Sequence, residues 1–360
     1  MTKPDPETTE KIKRNIKVFF QHTDLKHEAI RELANLYFQQ EADKPPAEIP
    51  NAAAVAAAPE PGDTQEDSPP AAGLDTLLKT EIKLPSLPTI FSQIIDLMSD
   101  PNSDADDFSK VISADPSLTA RLLKIVNSAF YGYRSRIDTI SHAVMVIGTS
   151  ELYSLCLSTS VLTMFKTIPP TLVDMTSFWM HSIGCGMIAK KIAARRGEIS
   201  RERFFVAGLL HDIGRLIIYS SMPDQAHRVI ARAARKNELL YDTEKAILGF
   251  DHGEIGGRLL QTWRLPGKLA DVIRFHHHPD HSMESLETAI IHLADIMVNA
   301  VKLGSSGERF VPPLDPVAWK TVKLPVEMLS EIMEETLDQI GEIASLLIPH
   351  KQKGDTPRHY

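Results

Sequence analysis

Residues 205–218 read FVAGLLHDIGRLII, an apolar run with a histidine and an aspartate at its centre. Positions three, four and seven apart share one face of a helix. His211 therefore lies on the stripe of Phe204, Ala207 and Gly208, which is apolar and small enough to admit a neighbouring helix closely. An aspartate pointed into such surroundings is costly unless it is paired or bound to a cation. The same oddity recurs downstream. His276 shares a face with Leu269, Val272 and Ile273, His277 with Ala270 and Ile273, and Asp295 lies between Ile291 and Val298. His181 and His252 add further imidazoles to this half of the chain. Taken singly, a histidine on an apolar face is more often a hydrogen-bonded core residue. Taken together, these side chains are explained by a divalent metal that offsets the carboxylates and accepts the imidazole lone pairs. Mixed His/Asp ligation suits iron or manganese, and zinc less, over magnesium or calcium.

Around this segment the sequence is helical nearly throughout. Apolar spacing predicts helices near 174–195, 201–221, 223–236, 242–249, 252–263, 266–277, 285–301 and 325–347, and no sustained two-residue alternation appears. Upstream, Pro85 and Pro88 precede the amphipathic run 90–98. Asp115-Pro116 marks the start of another helix, and Gly148 separates two more. Residues 1–43 read as two helices, with Ile12, Ile16, Phe19 and Phe20 on one face and Ile30, Leu33, Leu36 and Tyr37 on the other. A hairpin this small must dock on the rest of the chain, a second copy or a partner. Between the hairpin and the main helical region lies an Ala/Pro-rich stretch, 44–73, whose prolines block helix and sheet. The expected organisation is thus a helical segment at 1–43, a flexible linker at 44–73, helical lobes at 74–170 and 171–301, and an extension with a frayed tail at 302–360.

Composition bounds the function. The chain has 360 residues, 43% apolar and 24% charged, the make-up of a globular protein with a sizeable core. With 39 basic against 47 acidic residues the net charge is −8, which argues against a dedicated nucleic-acid binder. Two cysteines, Cys156 and Cys185, make neither a disulfide framework nor a CxxC zinc site, so a reducing cytoplasm is expected. The N-terminus is polar, with no signal-peptide core, and the apolar-leaning stretch 152–165 is broken by serines and threonines, so no membrane span is expected. The glycine pattern at 184–189 has no βαβ context and reads as helix packing. Basic clusters at 190–196 and 228–236 read as solvated faces, with an anionic nucleotide or an acidic partner as the functional alternative.

Several stretches read in order resemble the HDOD domain, an all-helical bacterial signalling module related to the HD phosphohydrolases. They are LPSLPTIFSQIIDLM (84–98), ADPSLTARLLKIVNSAFYG (114–132) and ISHAVMVIG (140–148), then the run at 205–218. GFDHGEIGGRLLQTWRLP (249–266), VIRFHHHPD (272–280) and IHLAD (291–295) complete the series. The resemblance implies an all-α, two-lobed helical bundle with an HD-like second lobe, the N-terminal hairpin being tethered by its linker. It maps His181, His211, Asp212 and Asp295 onto one metal, with Asp212 bridging to a second held by His252, His276 and His277. In catalytic relatives such a pair activates a water for attack on phosphorus. The cyclic di-GMP phosphodiesterases of the superfamily carry a GYP segment after the paired histidines, where this chain has His278-Pro279-Asp280-His281-Ser282. Their lysine after the HD-I-G run is Arg215 here, a candidate phosphate contact of different geometry. The resemblance therefore points first to an output or scaffold module with a regulatory protein partner, an anionic second messenger or a second copy of itself as binding partner. A metal-dependent phosphohydrolase is the second reading, and a di-iron redox or oxygen sensor a third.

Overall fold

The computed structural model describes residues 4–348 apart from 46–47, 50–72, 81, 101, 129, 134, 166–167 and 284. Most of the predicted linker and the tail beyond 348 lie outside the described residues. Among the described residues the chain is all-helical, with no strand. It forms two compact units: residues 1–86 with 167–338, and residues 87–166 with 339–360.

The first unit opens with α1 (Pro6–Phe19) and α2 (Glu28–Ala42). Asp5 caps α1 by accepting the Thr8 amide at 2.8 Å, and proline occupies the first helical position, where no N–H is needed. The hairpin docks on its own chain. Ile12, Phe19, Phe20, Ile30, Leu33 and Tyr37 are buried in the same apolar core as three later helices, α16 (Ser285–Ala300), α17 (Pro316–Val322) and α18 (Glu327–Leu347). Backbone and side-chain bonds fix the seat. The Val311 amide donates to the Phe19 carbonyl at 3.0 Å, and the Trp319 indole N–H donates to Glu28 at 3.2 Å.

The centre of the unit is α9 (Met175–Arg195) against α10 (Glu202–Leu210) and α16. Glycine sets the closeness of the first pair: a Cβ on Gly208 would sit 2.6 Å from the backbone of Gly186. The predicted helix over 201–221 is two helices. Its first part ends at Leu210 and α11 (Ile213–Ser221) begins after Asp212, whose φ and ψ of −96° and 8° leave the helical region. An uninterrupted apolar period cannot reveal a break in the middle, because both flanks are buried and both remain helical. This 20-residue run is long and apolar enough to cross a bilayer by composition, yet 89% of its most apolar window is buried inside the unit. The remaining helices are α12 (Pro223–Lys236), α13 (Leu240–Leu248), α14 (His252–Thr262) and α15 (Gly267–Phe275), with a short 3-10 turn at Pro279–His281. A short helix α3 (Leu74–Thr80) belongs to this unit as well.

The second unit contains α4 (Thr89–Ser99), α5 (Ala105–Ser113), α6 (Pro116–Val126), α7 (Ile140–Ile147) and α8 (Thr149–Val161), joined by the last turns of α18. Asp104 and Asp107 form a reciprocal capping box on α5, and Asp115 caps α6 ahead of Pro116. Gly148, at φ +86°, turns the chain from α7 into α8. Asn127 closes the loop after α6 at its neck. Its amide group donates to the Ile137 carbonyl at 2.8 Å and its oxygen accepts the Ile137 N–H at 2.8 Å.

Candidate metal centre

Two helices and four helix ends bring the predicted ligands to one place. His181 lies in the middle of α9, His211 ends α10, Asp212 opens α11, His252 is the first residue of α14, and Asp295 is central in α16. His276 and His277 follow the last turn of α15. All are buried except His277, which is partly exposed.

Their ligand atoms form two groups that share one aspartate. In the first, His181 Nε2 and His211 Nε2 are 3.3 Å apart. Asp212 Oδ2 lies 3.4 and 3.2 Å from these two nitrogens, and Asp295 Oδ1 lies 3.2 and 3.5 Å from them. In the second, His252 Nε2 lies 3.0 Å from Asp212 Oδ1, 3.3 Å from His276 Nε2 and 3.1 Å from His277 Nε2. Asp212 thus turns one carboxylate oxygen to each group.

The outer hydrogen bonds decide what these rings present inward. His211 Nδ1 donates to the Gly208 carbonyl at 2.6 Å, and His276 Nδ1 donates to the Ile273 carbonyl at 2.7 Å. His252 Nδ1 donates to the Glu244 carboxylate at 2.6 Å. A carbonyl or carboxylate only accepts, so these bonds hold the rings with Nε2 turned inward, and a ring that is neutral with its proton on Nδ1 offers a lone pair there. These Nε2 atoms, facing one another at 3.3 Å beside a carboxylate oxygen of Asp212 that has no hydrogen-bond donor, form a set that a bound cation would satisfy. The donor set fits a divalent metal, and the carboxylate–histidine pair of Glu244 and His252 is the arrangement that orients metal-bound imidazoles.

Protons compensate for the concentrated negative charge in the ion-free chain. Burial disfavours the charged forms, but Asp212 beside His211 raises that imidazole well above its ordinary value. His252 is pushed up to about 9, as Glu244 and Asp212 outweigh its burial and the Arg215 charge. Against their own burial, Asp212 is held well below the usual carboxylate range by Arg215 and the neighbouring imidazoles, and Asp295 by His181 and His211. Burial next to charged imidazoles lowers His276 and His277.

Arg215, which the resemblance made a candidate phosphate contact, lies beside the ligands. It is buried, with its Nε 3.5 Å from Asp212 Oδ1 and 3.6 Å from Glu244 Oε1, and its Nη1 donates to Ser306 Oγ at 2.6 Å. Asp212 and Arg215 are three residues apart across the start of α11. Among the described residues Asp295 pairs with no lysine or arginine; Asn299, one turn on, donates to it at 2.8 Å. His278 is outside both groups, edge-on to the Tyr241 ring, which itself stacks on His277 at 4.2 Å. His292 holds His276 from behind, its Nδ1 donating to the His276 carbonyl at 2.8 Å. Glu244, Tyr241, Ser306 and His292 escaped sequence reasoning, since no spacing ties them to the ligands. Asn299, four residues after Asp295, was visible in principle.

Cys185 is fully buried, and burial raises its thiol above the ordinary value although the neighbouring His211 opposes this; burial also raises Cys156. A buried neutral thiol is a poor nucleophile. Both cysteines should resist a thiol-reactive disulfide reagent in the folded chain at pH 7.5 and react on denaturation. Rapid titration of either thiol in the native state would contradict this burial.

The HDOD domain model matches residues 84–279, more than half of the chain. The chain belongs to the HDOD domain family. Among solved structures, an HDOD domain protein of unknown function from Geobacter sulfurreducens is 24% identical, with a TM-score of 0.64 over 76% of this chain and 96% of that one. A protein from Shewanella amazonensis SB2B, provisionally named a phosphohydrolase, is 26% identical, with a TM-score of 0.60 over 73% and 95%. A protein from Marinobacter aquaeolei VT8, provisionally named for signal transduction, is 22% identical, with a TM-score of 0.58 over 78% and 62%. Among curated proteins, an uncharacterized protein of Treponema pallidum (strain Nichols) is 28% identical over 208 residues, and the match spans 40% of its length.

Proposed function

We propose that this HDOD protein is an output or scaffold module of bacterial signal transduction, working in the cytoplasm through a regulatory protein partner and an anionic nucleotide messenger. In this reading its HD-like region is organised around a dinuclear centre of iron or manganese. His181, His211, Asp212 and Asp295 hold one ion, and Asp212, His252, His276 and His277 the other. Burial of the ligands carries the choice. Only His277 retains solvent exposure, and Tyr241 is stacked on it, so the set is built to tie helices together rather than to receive a large phosphodiester. Metal bound there would add directly to folding stability.

The second reading, a phosphohydrolase, is favoured by one observation: Asp212 turns a separate oxygen to each ligand group, as a water-activating metal pair requires. Elemental analysis of protein purified without added metal, run beside turnover assays on bis(p-nitrophenyl) phosphate and cyclic di-GMP, separates the readings. Two equivalents of iron or manganese without turnover is expected. Turnover at ordinary enzymatic rates would replace the scaffold by the hydrolase, and absence of metal would remove the centre.

A further inference from the structure

The segment from Lys302 to Val311, which follows α16, touches the candidate metal centre at one end and the N-terminal hairpin at the other. Its backbone bends through three left-handed residues, Lys302 (φ +53°), Gly304 (φ +72°) and Gly307 (φ +117°). At Gly304 it presses on the helix that carries His181. A Cβ there would lie within 2.5 Å of the His181 backbone nitrogen, and the Ser305 amide donates to the Ser177 carbonyl at 3.1 Å. Ser306 comes next. Its hydroxyl accepts Arg215 Nη1 at 2.6 Å, while its carbonyl accepts the Tyr219 hydroxyl at 3.0 Å.

Glu308 then reaches α13. One of its carboxylate oxygens accepts the Leu240 amide at 2.8 Å, and the other accepts the Phe310 amide at 3.2 Å. Leu240 opens the helix whose next residues include Tyr241, stacked on His277, and Glu244, which holds both the Nδ1 and the backbone amide of His252. The far end of the segment meets the hairpin. Phe310 lies edge-on to His22 at 5.2 Å, and the Val311 amide bonds the Phe19 carbonyl. Lys302 places its ammonium over the rings of Phe19 and Tyr37, at 4.4 and 5.1 Å. Ser306, Glu308, Phe310 and Val311 are all buried, so none of these contacts is a loosely solvated one.

We infer that Ser306 and Glu308 are positioning residues for the second half of the metal centre, and that through them the N-terminal hairpin and the centre are energetically coupled. The inference rests on the proposed metal centre and adds its regulation. A partner that lifts the hairpin would slacken the seat of α13 and weaken the hold of His252 and His277. By reciprocity, loading the centre tightens the hairpin by the same factor.

Hydrogen–deuterium exchange on the full chain, with Mn2+ as the probe ion, reads this directly. Saturating Mn2+ should slow exchange of the buried amides of α1 and α2 about tenfold, a size typical of coupled sites. Glu308→Gln should weaken the second Mn2+ and, with both equivalents bound at saturation, erase most of that slowing, which a purely global stabilisation by the metal would not allow. If Glu308→Gln does not fold, Ser306→Ala makes the same cut at the Arg215 contact. Two equivalents bound with unchanged hairpin exchange, or slowing that survives the substitution, would overturn the coupling alone. A wild-type chain that binds no Mn2+ would overturn the metal centre and this coupling with it.

Discussion

Asp212→Ala should abolish binding at both proposed metal positions, where His277→Ala should weaken one. Every other ligand serves a single group, but Asp212 presents Oδ2 to His181 and His211 and Oδ1 to His252. The substitution also leaves Arg215 buried with only Glu244 as a nearby carboxylate partner on the ligand side. Removing one partner of a buried ion pair costs about 3–5 kcal/mol, so Asp212→Ala should be markedly less stable even in the ion-free state. Asp212→Asn keeps the shape and loses the charge, separating ligation from packing. It should retain the fold and bind neither ion tightly. Elemental analysis after dialysis, paired with urea denaturation, checks both effects. Two retained equivalents in Asp212→Ala would show that the bridging assignment is wrong.

Gly214→Ala should be the most damaging glycine-to-alanine change among the described residues. A Cβ at Gly214 would stand 1.9 Å from the His252 carbonyl oxygen and 2.9 Å from the Gly256 nitrogen. Both are backbone atoms, so no side-chain rotation gives relief. The helices that open with Asp212 and His252 would have to separate, and these are the two residues that join the ligand groups at 3.0 Å. Forced overpacking of this kind exceeds the usual 1–3 kcal/mol of an inserted methylene, so a loss above about 4 kcal/mol or failure to fold is expected. Gly341→Ala is the matched control. It sits within α18, where an added methyl group would meet nothing within 4 Å, and should gain about 1 kcal/mol from helix propensity. Equal effects of the two substitutions in urea denaturation would refute the close approach of α11 and α14.

Burial of ionisable side chains was the most legible part of the sequence. The face shared by His211 with Ala207 and Gly208, and that of Asp295 with Ile291 and Val298, placed these side chains correctly inside. The ligand set came from the HDOD resemblance, and the structure brings those seven residues into two adjoining groups. The helical nature of the chain was equally plain, because apolar spacing persists from 89 to 347. Three features could not be read. The break at Asp212 lies between two flanks of identical periodicity. The burial of Arg215 against Glu244 and Ser306 was not legible, because both partners lie far off in sequence. The docking of the hairpin on α16–α18 depends on contacts nearly three hundred residues apart, such as Ser330 with Glu32, which no local pattern encodes.

The pair of hydrogen bonds between the Asn127 side chain and the backbone of Ile137 has a further consequence. A loop tied at its neck keeps its two ends together whatever lies between them, and ring closure grows costlier only slowly with length. A change at the exposed tip, such as Tyr133→Ala, should therefore cost the helices that hold it little, whereas Asn127→Ala would release both backbone groups of Ile137 and open the neck.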